Sequence, residues 1–329
     1  MLFFKSNKKQ QYSNKTLRRF IKDFSLPIPI TDKKYFKYYM NLYDDNLKIK
    51  EKYDLLTDTI NKLGSEEQFR ESVYSIRDNI IQSVKEKESY INFISSDFTN
   101  AYNINNLIKY SSRNIYIPAH NNHIFLSLDL EKANFQALKF FNKDIVNNKD
   151  TYEEFISDFT DLDYFKQSKY LRQVIFGNMN PKRQVKIERF IIQMILEYMT
   201  TTYLDLLDNI VSVSNDEIVF DLTSLIEDGE IDYLKEFKEN KDTIKSAIKD
   251  IYNIDVRIEL FKLVQIDENN SFFAKEFIND SKNYELKNIP LDFHAQAYKR
   301  YHGLSINKYD LSFRYQNQIC RFNNNIFDK

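Results

Sequence analysis

A chain of 329 residues with 47 lysines and arginines against 48 aspartates and glutamates has a formal net charge of −1, so no overall basic excess marks it as a nucleic-acid binder. A lone cysteine and four histidines exclude an internal disulfide and a cysteine-based zinc site, which leaves carboxylates to hold any metal. No apolar run approaches the ~20 residues that span a bilayer, and the start, MLFFKSNKKQQ, has too short an apolar segment for a signal peptide. The expectation is a cytoplasmic protein with no membrane partner. Lys, Asn, Ile, Phe and Tyr abound beside only four glycines and five prolines. AT-rich codons encode that set, so the aromatic content alone is not read as base stacking.

Residues 1–30 are basic and polar and end on LPIPI, Leu26 to Ile30, an extended connector because each proline keeps its predecessor out of the helical region. From Lys33 to Glu88 the pattern is helical. One segment carries Leu47, Tyr53, Leu56, Ile60 and Leu63 up to a stop at Gly64. Ser65-Glu66-Glu67-Gln68 reads as a capping box, and Phe69, Val73, Ile76, Ile80 and Val84 repeat every three or four residues. An antiparallel helical pair is expected. Tyr43-Asp44-Asp45 lies within helix and reads as surface carboxylates. Asn103 to Asn122 reads as short turns, with His120 and His123 as loop histidines lacking a carboxylate partner.

Phe125 to Leu128 reads as a buried strand that delivers Asp129 and then a helix carrying Ala133, Ala137, Leu138 and Phe141 inward. Two helices follow between Lys166 and Tyr203, parted near Gly177 to Pro181. Lys169, Arg172 and Phe176 share a face of the first, while Lys182, Arg183, Lys186 and Arg189 crowd the start of the second. Cations there oppose the helix dipole; they suit either phosphate contact or a solvated face. Val211 to Leu222 reads as a hairpin with Asn215, Asp216 and Glu217 at its tip. A helix over Tyr233 to Tyr252 buries Phe237, Ile244, Ile248 and Ile251, and a strand over Asp255 to Val264 follows. Residues 267–329 read as an α/β appendage with a helix near Phe293 to Tyr301.

This order suits a small antiparallel sheet backed by helices, with the hairpin beside the Phe125 strand. Asp129 and Asp216 would then meet and hold hard divalent cations. A pair of Mg²⁺ ions, or Mn²⁺ in their place, set ~3.5–4 Å apart would clamp an in-line displacement at phosphorus. Lys169 and Arg172 would neutralise a triphosphate, and Phe176 would pack on its base or sugar. The competing structural roles are a turn for Asp216 and a helix cap for Asp129.

Three blocks resemble the polymerase module of family A DNA polymerases and, next to it, the single-subunit phage RNA polymerases. They are Asp129 to Gln136 (DLEKANFQ), Arg172 to Gly177, and Asn215 to Phe220 (NDEIVF), in the family's order. The resemblance spans about Ile115 to Ile266. It implies an α+β right-hand polymerase with a small antiparallel palm sheet, reduced helical fingers and a helical thumb. The division is 1–114 arm and thumb, 115–160 and 206–266 palm, 161–205 fingers, and 267–329 appendage. It implies Asp129, Asp216 and the Leu130 carbonyl as metal ligands and Glu217 as an accessory carboxylate beside the primer end. Leu130, Asn134, Lys169, Arg172 and Phe176 would bind nucleotide, and Lys182, Arg183, Lys186 and Arg189 nucleic acid. The implied partners are primer-template, nucleoside triphosphates and replication accessory proteins. Departures are Asn134 in place of a sugar-selecting glutamate, Ser168 for arginine, Asn180 for tyrosine and Asn215 for histidine. Small size and AT-rich coding suggest a virus, phage or mobile element, which would place the chain in host cytoplasm. Alternatives are a ribonucleotide-using or template-independent transferase, and a degenerate replisome scaffold.

Overall fold

Leu126, Leu128 and Leu130 alternate with Phe125, Ser127 and Asp129 along strand β1, Ile124–Leu130, and a strand sends successive side chains to opposite faces. In the computed structural model, which describes residues 12–98, 102, 111–227, 233–278 and 283–328, β1 lies inside an antiparallel sheet. The order is β2-β3-β1-β4-β5-β6. β2 (Ile210–Val213) and β3 (Glu217–Asp221) are the expected hairpin, paired to one side of β1. β4 (Val256–Gln265) pairs with the other side. Residues 1–11 of the basic start and the turns expected over 103–110 lie outside the described residues.

The expected appendage is corrected at this level. β5 (Phe273–Phe277) and β6 (Tyr284–Lys287) extend the sheet from β4, so no break falls at residue 266. Only β7 (Ser312–Tyr315) and β8 (Gln318–Arg321) form a separate two-stranded ribbon, after helix His294–Tyr301.

One sheet face carries Leu126, Leu128, Leu130, Ile218, Phe220, Ile258 and Leu260 into the main core with the helices. The other carries a small cluster of Ile115, Phe125, Val219, Phe261, Leu263 and Phe273 beside a row of charges. The crossover from β1 to the hairpin runs through α6 (Ala133–Phe141), α7 (Tyr152–Ser157), α8 (Asp163–Gln167), α9 (Lys169–Gly177) and α10 (Pro181–Thr202). After the hairpin come α11 (Thr223–Glu227) and α12 (Tyr233–Tyr252), the latter packed on β4. In α12 Phe237, Ile244 and Ile248 are buried as expected, but Ile251 in its last turn is exposed.

The N-terminal helices are α1 (Asn14–Asp23), α2 (Lys33–Leu47), α3 (Ile49–Leu63), α4 (Glu66–Lys85) and α5 (Glu88–Ser95). Lys48, left-handed at φ 51°, parts α2 from α3, where the sequence reads as one segment. Gly64 at φ 94° ends α3, a conformation that costs a glycine little. Ser65 Oγ then accepts the Gln68 N–H at 3.1 Å, and all five periodic residues of α4 are buried. Asp44 and Asp45 lie on α2, with Asp44 paired to Lys50 at 2.9 Å.

These helices do not stand apart as a thumb. They pack against α8 and α9, inside one core that runs from Tyr12 to Tyr298. Leu26, Ile28 and Ile30 of the connector are buried in it. The tie is Asp23, fully buried, which accepts Tyr164 Oη at 2.8 Å, Ser168 Oγ at 2.6 Å and Arg19 Nε at 2.9 Å. The C-terminal segment is locked in similarly. Tyr39 Oη donates to the Tyr309 carbonyl at 2.9 Å, Tyr38 Oη to Asp310, and Lys299 pairs with Asp310 at 2.8 Å. Among the described residues no helix is long and apolar enough to cross a membrane.

Removing the Asp23 carboxylate strands two hydroxyls and a guanidinium. Asp23→Ala is expected to lower unfolding stability by roughly 3 kcal/mol, measured by urea denaturation, with Leu17→Ala as a comparison for simple loss of packing.

Candidate active site

β1 delivers Asp129 on the face opposite the helices, and antiparallel register sets it beside Glu217 of β3 and Arg257 of β4. The Leu130 N–H donates to the Asp216 carbonyl at 2.8 Å, so the hairpin tip is fastened to the end of β1. The tip is built by Ser214. Its Oγ accepts the N–H groups of Asp216 at 3.3 Å and Glu217 at 2.9 Å and donates to Asp216 Oδ1 at 3.0 Å. Asp216 thus takes part in the turn through both its N–H and its carboxylate. Asp129 does not cap the next helix: the N-cap of α6 is Lys132, left-handed at φ 56°. The capping role weighed for Asp129 is overturned, the turn role weighed for Asp216 holds through its bond with Ser214, and the two residues lie close at one end of the sheet.

The same face continues as a lattice of alternating charge. Arg257 donates to Asp129 Oδ2 at 2.8 Å and lies 3.3 Å from Glu259, which Lys275 meets at 2.5 Å. Burial raises the Asp129 carboxyl above its ordinary value; Arg257 opposes that and Asp216 adds to it. Burial likewise raises Glu217, with Lys275 opposing and Asp129 adding. Desolvation works against charge on Arg257, yet Glu259 and Asp129 together hold its pKa above the usual guanidinium value. Burial is the largest influence on both carboxyls, and at each the neighbouring cation acts more strongly than the neighbouring carboxylate.

Two contacts bring α10 to this centre. Arg189 Nε donates to Asn215 Oδ1 at 2.6 Å, and Asn134 Nδ2 donates to Glu188 Oε1 at 3.0 Å. Glu188 is buried, and desolvation followed by the Asp216 charge pushes its pKa up to about 7. Sequence reading missed Glu188, because nothing in KIERF distinguishes a buried carboxylate from a solvated one. Arg257 and Glu259 were legible as an i, i+2 pair on one face of the strand.

Other expected site residues are corrected. Phe176 is 1% exposed and lies in the core near Phe135 and Tyr152, so its ring has no free face for a nucleotide. Arg172, on the same helix, is half-buried over the Tyr152 ring at 5.5 Å, and burial lowers its pKa. Arg183 is committed internally. It donates to the carbonyls of Phe93, at 2.8 Å, and Ser96, and lies 4.0 Å from the Phe98 ring. Lys169, Lys182 and Lys186 are exposed. Ser168 N-caps α9 while bonding Asp23, and Asn180 supplies the left-handed residue before Pro181, so both residues have structural work. His123, expected to lack a carboxylate, pairs with Asp221 at 2.7 Å, and His120 Nδ1 lies 2.8 Å from the Ile115 carbonyl.

Among the described residues no three His, Cys, Asp or Glu side chains are disposed to hold a metal ion. The expected pair of ions thus has no cage of three such side chains among the described residues. Mg²⁺ commonly keeps its waters and binds through one or two carboxylates plus substrate phosphates. Asp129 and Asp216 are the two carboxylates that such a mode of binding would use. Comparison of the chain with protein-family models, curated proteins and solved structures finds no match.

Between pH 4.5 and about 7 the folded chain keeps a proton on Glu188 that the unfolded chain has released. Stability from this group is therefore complete below that window and falls by up to about 3 kcal/mol as pH rises through it. Glu188→Gln is expected to flatten this fall, measured by denaturant midpoints across pH 4 to 9.

Proposed function

We propose that the chain is a template-dependent nucleotidyltransferase that extends the 3′ end of a primer, with DNA as its product. The carrying observation is that Asp129 and Asp216, distant in sequence, come together where the hairpin tip is fastened to the end of β1, with Asp129 capping no helix. Asp129, Asp216 and the Leu130 carbonyl would hold Mg²⁺, which when bound lowers the cost of charge on the attacking and leaving oxygens. Arg257 is half exposed, so its side chain has room to leave Asp129 as a cation enters. Lys169, exposed at the start of α9, is the cation of that helix left to meet a triphosphate, since Arg172 is committed over Tyr152. Glu188, with its pKa pushed up to about 7 and Oε1 accepting from Asn134, is an acid suited to protonating a leaving group. Lys182, Lys186 and Arg189 line the exposed side of α10 for nucleic acid.

A scaffold with a silent centre is the second reading. The Arg257 pair on Asp129 and the missing three-carboxylate cluster among the described residues favour it.

Extension of a labelled primer is the test, run with deoxy- or ribonucleotides, with or without template, in Mg²⁺ or Mn²⁺. Template-dependent extension with deoxynucleotides is expected, reduced about 10²–10³-fold in Asp129→Asn and in Asp216→Asn, as when one transition-state charge stabiliser is removed. Extension with ribonucleotides or without template would reassign the substrate. No extension under any condition, with primer-template still bound, would establish the scaffold.

A further inference from the structure

Away from the sheet, α1 and α4 present a second set of cations. Lys15, Arg18, Arg19 and Lys22 follow i, i+3, i+4, i+7 on α1, while Leu17 and Phe20 of that helix are buried. Arg70, Tyr74 and Arg77 follow i, i+4, i+7 on α4. The α1 row, with Arg70 and Tyr74 of α4, lines an open cavity of about 450 Å³ completed by Val73 and by Tyr170 of α9, while Arg77 lies outside it. Glu66 fixes the geometry: its carboxylate accepts the Ser13 hydroxyl at 2.6 Å and the Thr16 hydroxyl at 2.5 Å, clasping α1 to α4.

Three of the acids nearby are already engaged, while Glu67 and Glu71 stand exposed beside Arg70. Asp23 is buried under Arg19, Glu66 serves the clasp, and Asp78 pairs with Arg77 at 2.7 Å. Among the described residues Lys15, Arg18, Lys22 and Arg70 make no ion pair, in a chain whose total charge is near zero. The cavity also offers rings. Tyr74 is 52% exposed beside Arg77, and Tyr170 is flanked by Arg19 at 4.9 Å and Lys22 at 5.5 Å.

We infer that this cavity binds the backbone of single-stranded nucleic acid, with Arg18, Lys22 and Arg70 on phosphates and Tyr74 stacked on a base. Cations alternating with an exposed ring suit a single strand, because backbone and base are both available to it. An acidic polypeptide would use the cations and leave the ring idle. This deepens the reading of nucleic acid as partner by assigning a strand-binding site that is separate from the two aspartates.

The test is fluorescence anisotropy of a labelled single strand, deoxyribo or ribo, titrated with the full chain across a salt series without metal or triphosphate. Arg18→Gln/Lys22→Gln/Arg70→Gln is expected to weaken binding at least about tenfold and to flatten the log–log salt slope by about 2, as loss of three phosphate contacts would. Tyr74→Ala is expected to weaken it about fivefold or more, with Tyr74→Phe restoring it. All substituted side chains lie at the surface. Unchanged binding in the triple variant, an inert Tyr74→Ala, or equal displacement by polyglutamate would overturn the site. Since the readout needs no catalysis, failure here leaves the transferase reading standing, and absent extension with this binding intact removes only that reading.

Discussion

Everything at the candidate centre depends on the antiparallel register of β1 between β3 and β4. With Leu128 opposite Ile218 and Ile258, Asp129 must lie between Glu217 and Arg257. A slip of one residue would turn Leu126, Leu128 and Leu130 out of the core and the carboxylate into it, which fixes the register strongly. Hydrophobic burial on one face thus pins the positions of charges on the other. The charges gain little from that arrangement: burial raises both Asp129 and Glu217, and only Arg257 and Lys275 oppose it. Groups held in a costly state by packing are common at functional sites.

The helices serve the same centre from the other side. α6 leaves β1 through a left-handed Lys132, which carries the chain off the sheet without using Asp129. α10 returns with Glu188 against Asn134 and Arg189 against Asn215, so the first block and the hairpin are both tied to one helix. A shift of α10 would alter both contacts together. Its first turns divide their cations, with Arg183 locking the helix to the 93–96 segment and Lys182 and Lys186 left to solvent.

The ends of the chain are part of this frame. α1 is bound to α8 and α9 through Asp23, and α2 holds the segment near Asp310 through Tyr38 and Tyr39. β5 and β6 complete the sheet on the side away from the hairpin. The division of labour is between the two faces of the sheet, one apolar and helix-covered and one charged, more than between successive stretches of sequence.

Local chemistry was legible in the sequence wherever it is decided by near neighbours. The periodicity of Phe69 to Val84, the stop at Gly64, the two helices parted before Pro181, the hairpin at Asn215-Asp216 and the alternation of Asp255 to Val264 depend on helix and strand geometry and on backbone preference. Asp129 and Asp216 stood out for the same reason, as acids at the ends of apolar β runs. Tertiary structure alone decided what each side chain touches. Phe176 shares a helical face with Arg172, yet facing says nothing of whether core or solvent lies opposite, and Phe135 and Tyr152 fill that space. Arg183 looked like its neighbours until it met the carbonyls of Phe93 and Ser96, and β5 and β6 looked detached because strand pairing is a contact between distant segments. Glu188 is the clearest case: its pKa of about 7 comes from burial and from Asp216 across the fold, and neither is written in the residues beside it.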